Sequence, residues 1–207
     1  MPFTMVHLYT ASKLEIINRA DNLPQLYLGV LAPDAYGHKK VKSSSDRDET
    51  HLFSSDTVKW ENNAVNFIQK CLNDNEICFF IGYGIHLLTD ICWDKLIYKP
   101  FMDKHSPDKS IADADTWETY RSDMTKIDIW LYRNCQNKDS IWEYIKQSIS
   151  FNVKGLITAG EMDAEKAYTL PWYDERTTHA VDGFTYIQPE EVLDFIDETV
   201  SMINNYI

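Results

Sequence analysis

Apolar residues recur along this chain at spacings of three and four, while alternating runs rich in β-branched residues are almost absent, which predicts helices throughout and an all-α fold. A first helix is expected from about Thr4 to Asn18, with Val6, Leu14 and Ile17 on one stripe. A short apolar piece, Leu23 to Leu31, ends at Pro33, because the residue before a proline disfavours helix. From Asp34 to Ser55 the chain turns polar, through Gly37, the basic tract Lys39-Lys40-Val41-Lys42, three serines and Asp46 to Glu49, and reads as a surface loop. Ser55 or Asp56 then caps a helix running to about Asn73, with Trp60, Ala64, Phe67, Ile68 and Cys71 at helical spacing.

Asp74-Asn75 breaks the chain before a strongly apolar central helix, expected from Glu76 to about Tyr98 and ended by Pro100. A polar loop from Asp103 to Ser110, an amphipathic helix from Ile111 to Asn134 and a shorter one from Asp139 to Ser148 follow. Pro171 to Gly183 reads as an irregular arm, and Pro189 opens a closing helix through Asn205. Without a repeat or a second domain, residues 1–207 read as one multi-helix bundle.

Composition narrows the function. Of 207 residues, 44% are hydrophobic, enough for one ordinary core. The net charge of −12 would repel a phosphate backbone, so nucleic acid is disfavoured as a partner. The charge-free stretch Ile77 to Thr89 falls short of the roughly 20 residues that span a bilayer, so no transmembrane segment is expected. The start lacks a basic n-region and an apolar h-region, which points to a cytoplasmic protein. Cys71, Cys78, Cys92 and Cys135 show no CxxC pairing and indicate neither a disulfide framework nor a thiolate zinc site.

The chemistry concentrates in the central helix. His86 and Asp90 are one turn apart on one face, and no Lys or Arg lies between Ile77 and Trp93 to pair with the carboxylate. A buried carboxylate without a partner costs several kcal/mol, and a divalent metal satisfies it together with a neutral imidazole. A core histidine hydrogen-bonded to the carboxylate satisfies it too, and spacing alone leaves both readings open. Gly82 and Gly84 weaken this helix, which suggests another backbone packed closely there. Three further candidate ligands stand where the chain changes direction: His7, Asp34 after Ala-Pro, and His51 before a helix start. Singly these have ordinary readings as a core imidazole, a turn residue and a loop side chain; together they form a set.

Leu28-Gly-Val-Leu-Ala-Pro-Asp34, Thr50-His51-Leu-Phe and Phe80-Ile-Gly-Tyr-Gly-Ile-His86-Leu-Leu-Thr-Asp90 resemble the zinc-dependent phospholipase C family, itself related to the single-strand-specific zinc nucleases. The likeness covers roughly the first half of the chain and rests on the ordered series His, Pro-Asp, His, His-x-x-x-Asp. It implies a buried site for one or two zinc ions, or other divalent metals. Asp34, His51, His86 and Asp90 would hold one ion, with Asp90 bridging toward a second that His7 helps to bind. The departures are as informative. Secreted members use the processed amino terminus as a ligand, whereas this chain starts at Met1 without a signal peptide. A family histidine ten residues after the His of HxxxD is Leu96 here, and a later His-x-x-x-Glu is missing. Asp94, His105, Asp115, Asp123 and His179 are candidates to replace the lost ligands, each with a more ordinary reading as a solvated or capping residue.

Two functional readings follow. One is a metal-dependent phosphoesterase acting on small-molecule or lipid-derived phosphoesters, with Asp34 and Asp90 carrying the chemistry and Tyr83 and Tyr120 as candidate phosphate binders. The other is a non-catalytic metal-binding or interaction protein that kept the fold and lost part of the cluster. The lysine tract at Lys39 is a candidate attractor of an anionic head group, and Trp172-Tyr173 a candidate lid or anchor.

Overall fold

The computed structural model describes residues 2–43, 45–72, 75–105 and 114–207, and every regular element among them is helical apart from an isolated bridge between Val153 and Ile157. Helix α1 (Thr4–Lys13) stops short of the expected Asn18 because Leu14 is extended, and the chain continues as a 3₁₀ turn, Glu15–Asn18. Helix α2 (Leu23–Leu31) starts at an Asn22 cap. Pro33 does not end the helical path: it sits in the first turn of a 3₁₀ helix, Ala32–His38, where its missing N–H costs nothing. The expected loop of Asp34 to Ser55 is therefore partly helical, since α3 (Asp46–Thr50) follows and presents a fully buried Thr50 and His51. Helix α4 (Thr57–Lys70) is capped by the Asp56 side chain.

Helix α5 (Ile77–Trp93) lies at the centre. It runs into a π-helical stretch, Asp94–Tyr98, and then α6 (Lys99–His105), so Pro100 does not end it; the proline falls in the first turn of α6, beyond a stretch whose ladder is already altered. The combined rod Ile77–His105 has 29 residues and meets the length and composition of a membrane span. Against that, 72% of its apolar window is covered by the rest of the chain, as in the core helix of a folded domain. Helices α7 (Ala114–Asn134), α8 (Lys138–Gln147), α9 (Ala159–Asp174) and α10 (Pro189–Ile203) complete the fold. The expected break at Asp74, the loop ending at Ser110 and the helix start at Ile111 fall outside the described residues. Helix α9 departs most from the sequence reading: a capping box between Thr158 and Glu161 starts it, and it runs through Pro171 to Asp174 where an irregular arm was expected.

The α2–α5 contact sets the core. A Cβ at Gly82 would lie 1.9 Å from the Leu26 carbonyl oxygen, and one at Gly29 would lie 2.0 Å from that of Phe79, so the two helices meet backbone to backbone. The close approach expected at Gly82 is there; at Gly84 the neighbour is instead the Ile68 side chain of α4. Gly82→Ala should therefore lower stability by about 1–3 kcal/mol or more through overpacking, a loss of several degrees in Tm. Gly160→Ala, with nothing within 4 Å of the added methyl, should leave Tm unchanged or raise it slightly. Calorimetric melting of both variants checks the contrast.

Candidate metal centre

The α2–α5 contact brings the Val30 carbonyl to His86. His86 Nδ1 lies 2.8 Å from that oxygen, and since a carbonyl only accepts, Nδ1 carries the proton and Nε2 of the neutral ring is bare. His51 is fixed in the same way, with Nδ1 3.0 Å from the Arg47 carbonyl at the other end of its own helical turn. Two further contacts steady this turn: the Tyr83 hydroxyl donates to Thr50 O at 2.5 Å, and the Trp60 indole donates to His51 O at 2.8 Å.

The two bare nitrogens then face one another at 3.3 Å. Around them stand Asp34 Oδ1, 3.3 Å from His51 Nε2, and Asp90 Oδ2, 3.5 Å from His51 Nε2 and 3.7 Å from His86 Nε2. On the far side of Asp90, Oδ1 is 3.5 Å from His7 Nε2, and the His7 ring stacks on His86 with centroids 3.8 Å apart. Ligand atoms about 2.0–2.1 Å from a tetrahedral zinc are roughly 3.3 Å from each other, so the four edges measured around His51 and His86 have the size such an ion requires.

The bare Nε2 atoms of His51 and His86 and the carboxylate oxygens of Asp34 and Asp90 meet as acceptors with no donor among them. Burial holds His7 well below the ordinary histidine value and lowers His86 as well, so both rings are neutral at pH 7. Burial pushes Asp90 up, and both of its oxygens are buried without a hydrogen-bond partner, as is His7 Nδ1. A cation supplies what is missing, and the donor set of imidazole nitrogens and carboxylate oxygens suits zinc. His7, Asp34 and His86 form one candidate triad, and His51, His86 and Asp90 another. His86 is common to both, while Asp90 turns one oxygen to each side.

The profile of the zinc dependent phospholipase C family matches residues 1–170 of the chain. The chain belongs to that family. Neither the curated proteins nor the solved structures contain a significant match to it.

The family's further metal ligands have no counterpart cluster among the described residues. Leu96 packs against the core from the π-helical stretch. Asp94 pairs with Lys99 at 2.7 Å, His105 packs on Tyr186, and Asp123 accepts from the backbone N–H groups of Thr185 and Tyr186. Asp115 and His179 are exposed. Met1 lies outside the described residues.

Access is one-sided. The side chains of His7, His51, His86 and Asp90 are 0–2% exposed, whereas that of Asp34 is 39% exposed and lines a polar cavity of about 450 Å³ with Tyr36, Arg47, Arg121 and Asp128. A second cavity of about 430 Å³ is walled mainly by aromatic rings, Tyr120 among them. Tyr83 lines neither cavity and spends its hydroxyl on Thr50, so it braces the His51 turn rather than reaching a phosphate. The Tyr120 hydroxyl accepts from the Trp93 indole at 3.0 Å. Trp172 and Tyr173 are helical and wall the polar cavity, with the Tyr173 hydroxyl donating to Asp128. Lys39 is committed to Asp46 at 2.8 Å, and the lysine tract lines neither cavity. Sequence reading missed Tyr36, Arg47, Arg121 and Asp128; the available signal was that Arg47 stands one helical turn before His51.

Two predictions follow from this geometry. Asp90→Asn should abolish bound metal and the rise in Tm that metal confers, while the metal-free variant melts no lower than the metal-free parent, because an unpartnered buried charge has been removed; elemental analysis and melting with and without chelator check this. Burial raises the Asp128 carboxyl to about 7, against an ordinary value of 3.8. Its contribution to stability is thus complete below 3.8 and lost as pH rises through about 7, so Asp128→Asn should flatten the decline of Tm between pH 4 and 8.

Proposed function

We propose that this protein is a metal-dependent hydrolase of phosphoesters, a phospholipase C-like phosphodiesterase in which water activated by zinc is the nucleophile. The observation that carries the reading is the one-sided cluster: buried acceptors on three sides, and the exposed Asp34 carboxylate on the fourth, facing a cavity large enough for a small ligand. Bound there, one or two zinc ions would lower the pKa of water, polarise a phosphoryl oxygen and stabilise the leaving oxygen.

The chain's own residues do the rest. His51 and His86 present lone pairs fixed by the Arg47 and Val30 carbonyls. Asp90 spans the two sides of the cluster through its separate oxygens, and His7 closes the inner side. Asp34, at the cavity, both holds metal and accepts the proton of the attacking water. The net charge of −12 favours small or lipid-derived phosphoesters over nucleic acid.

Leu96 in place of a family histidine favours a second reading, a binding protein that retains the fold with a reduced metal complement. Zinc-loaded protein should hydrolyse a chromogenic phosphodiester or a phosphocholine ester. Asp34→Asn should lower kcat by about 10²–10⁴ with KM changed only a few-fold. Stoichiometric zinc with no turnover on a broad ester panel would instead establish the binding reading.

A further inference from the structure

Beside the metal cluster, the polar and aromatic cavities are joined by Phe3, Arg47 and Arg121, which line both. In a chain with 32 acidic residues against 20 basic ones, most cations at such a position would be paired. Lys39, Lys95 and Lys99 are examples, each within 2.8 Å of a carboxylate. Among the described residues, Arg47 and Arg121 have no acidic partner for their guanidinium groups, and no hydrogen bond from either side chain occupies them. Two unpaired guanidinium groups at one junction form a fork suited to a carboxylate or phosphate. On the hydrolase reading, metal held by His51, His86, Asp34 and Asp90 would neutralise the scissile phosphate, which leaves the arginines to a different anionic group. Past them, Phe53, Trp60, Trp93 and Trp117 offer an apolar wall.

We infer that Arg47 and Arg121 form an anion-binding pair that selects phosphoesters bearing a second negative charge beside the scissile phosphate. This rests on the hydrolase reading for the position of the scissile phosphate, and its consequence is specificity: a substrate with an anionic head group is preferred over one with a neutral head group of the same shape. Arg47 also ties recognition to the metal cluster, because its carbonyl holds His51 while its side chain faces the ligand.

The test uses zinc-loaded protein and two short-chain lipids below their micellar concentrations, dihexanoyl phosphatidylinositol and its 4-phosphate. Binding is read by tryptophan fluorescence, since three tryptophans line the apolar wall, and initial hydrolysis rates are measured alongside. The phosphorylated lipid should bind at least tenfold more tightly. Arg121→Gln and the Arg47→Gln/Arg121→Gln double variant should erase that preference while metal content stays at the parental level. Arg121 is exposed on α7, so its single replacement tests the pairing without disturbing the His51 turn. Equal binding of the two lipids by the parent, or equal loss of both in Arg121→Gln, overturns the inference. Selective binding without turnover of any ester sinks the hydrolase reading and leaves the selectivity standing; turnover with equal efficiency on both lipids does the reverse.

Discussion

Repulsion among acceptors is the constraint on which this structure turns. Three imidazoles and two carboxylates converge with all but Asp34 buried, and backbone carbonyls dictate which nitrogen of His51 and of His86 is bare. Such an arrangement is unfavourable by itself and becomes favourable around a cation, so binding and folding are linked. The glycines at 29 and 82 are part of the same device, because the separation of α2 from α5 sets how far the Val30 carbonyl stands from His86.

Much of the centre was legible before any coordinates. His86 and Asp90 stand one turn apart on a helix with no basic residue, and the Pro-Asp and His signals recur in the family's order; all five expected side chains meet in space. The helical class was readable from spacing, as was Gly82 as a point of close approach. The irregular segments were not. Pro33 and Pro171 look like stops in one dimension, yet each is tolerated, Pro33 in the first turn of a 3₁₀ helix and Pro171 within α9. The polar stretch carrying Arg47 and Thr50 looks like solvated loop because its apolar content is low, but a five-residue helix there buries Thr50 and His51 completely. Tyr83 lay at the spacing of a ligand and serves as a brace. No linear pattern brings Arg121 on α7 to Arg47 on α3; that juxtaposition exists only after the chain has folded.

Exposure divides the roles within the centre. Groups that reach no solvent set the geometry of the cluster, and the one carboxylate that does reach it faces the polar cavity. Asp123, which the sequence offered as a substitute ligand, stands outside that division, already engaged by the backbone ahead of α10.

The π-helical stretch at Asp94–Tyr98 gives one rod two addresses. Upstream of it, side chains of α5 look toward α2 and the cluster; within it the helical phase slips, so that Asp94 and Tyr98 border the aromatic cavity while Leu96 and Ile97 turn toward Tyr186 and Ile187. Ten residues on from His86, Leu96 borders the same cavity as Tyr186 and Ile187 rather than the cluster. The slip in phase turns the downstream half of the rod to a task of its own, the shaping of a second chamber.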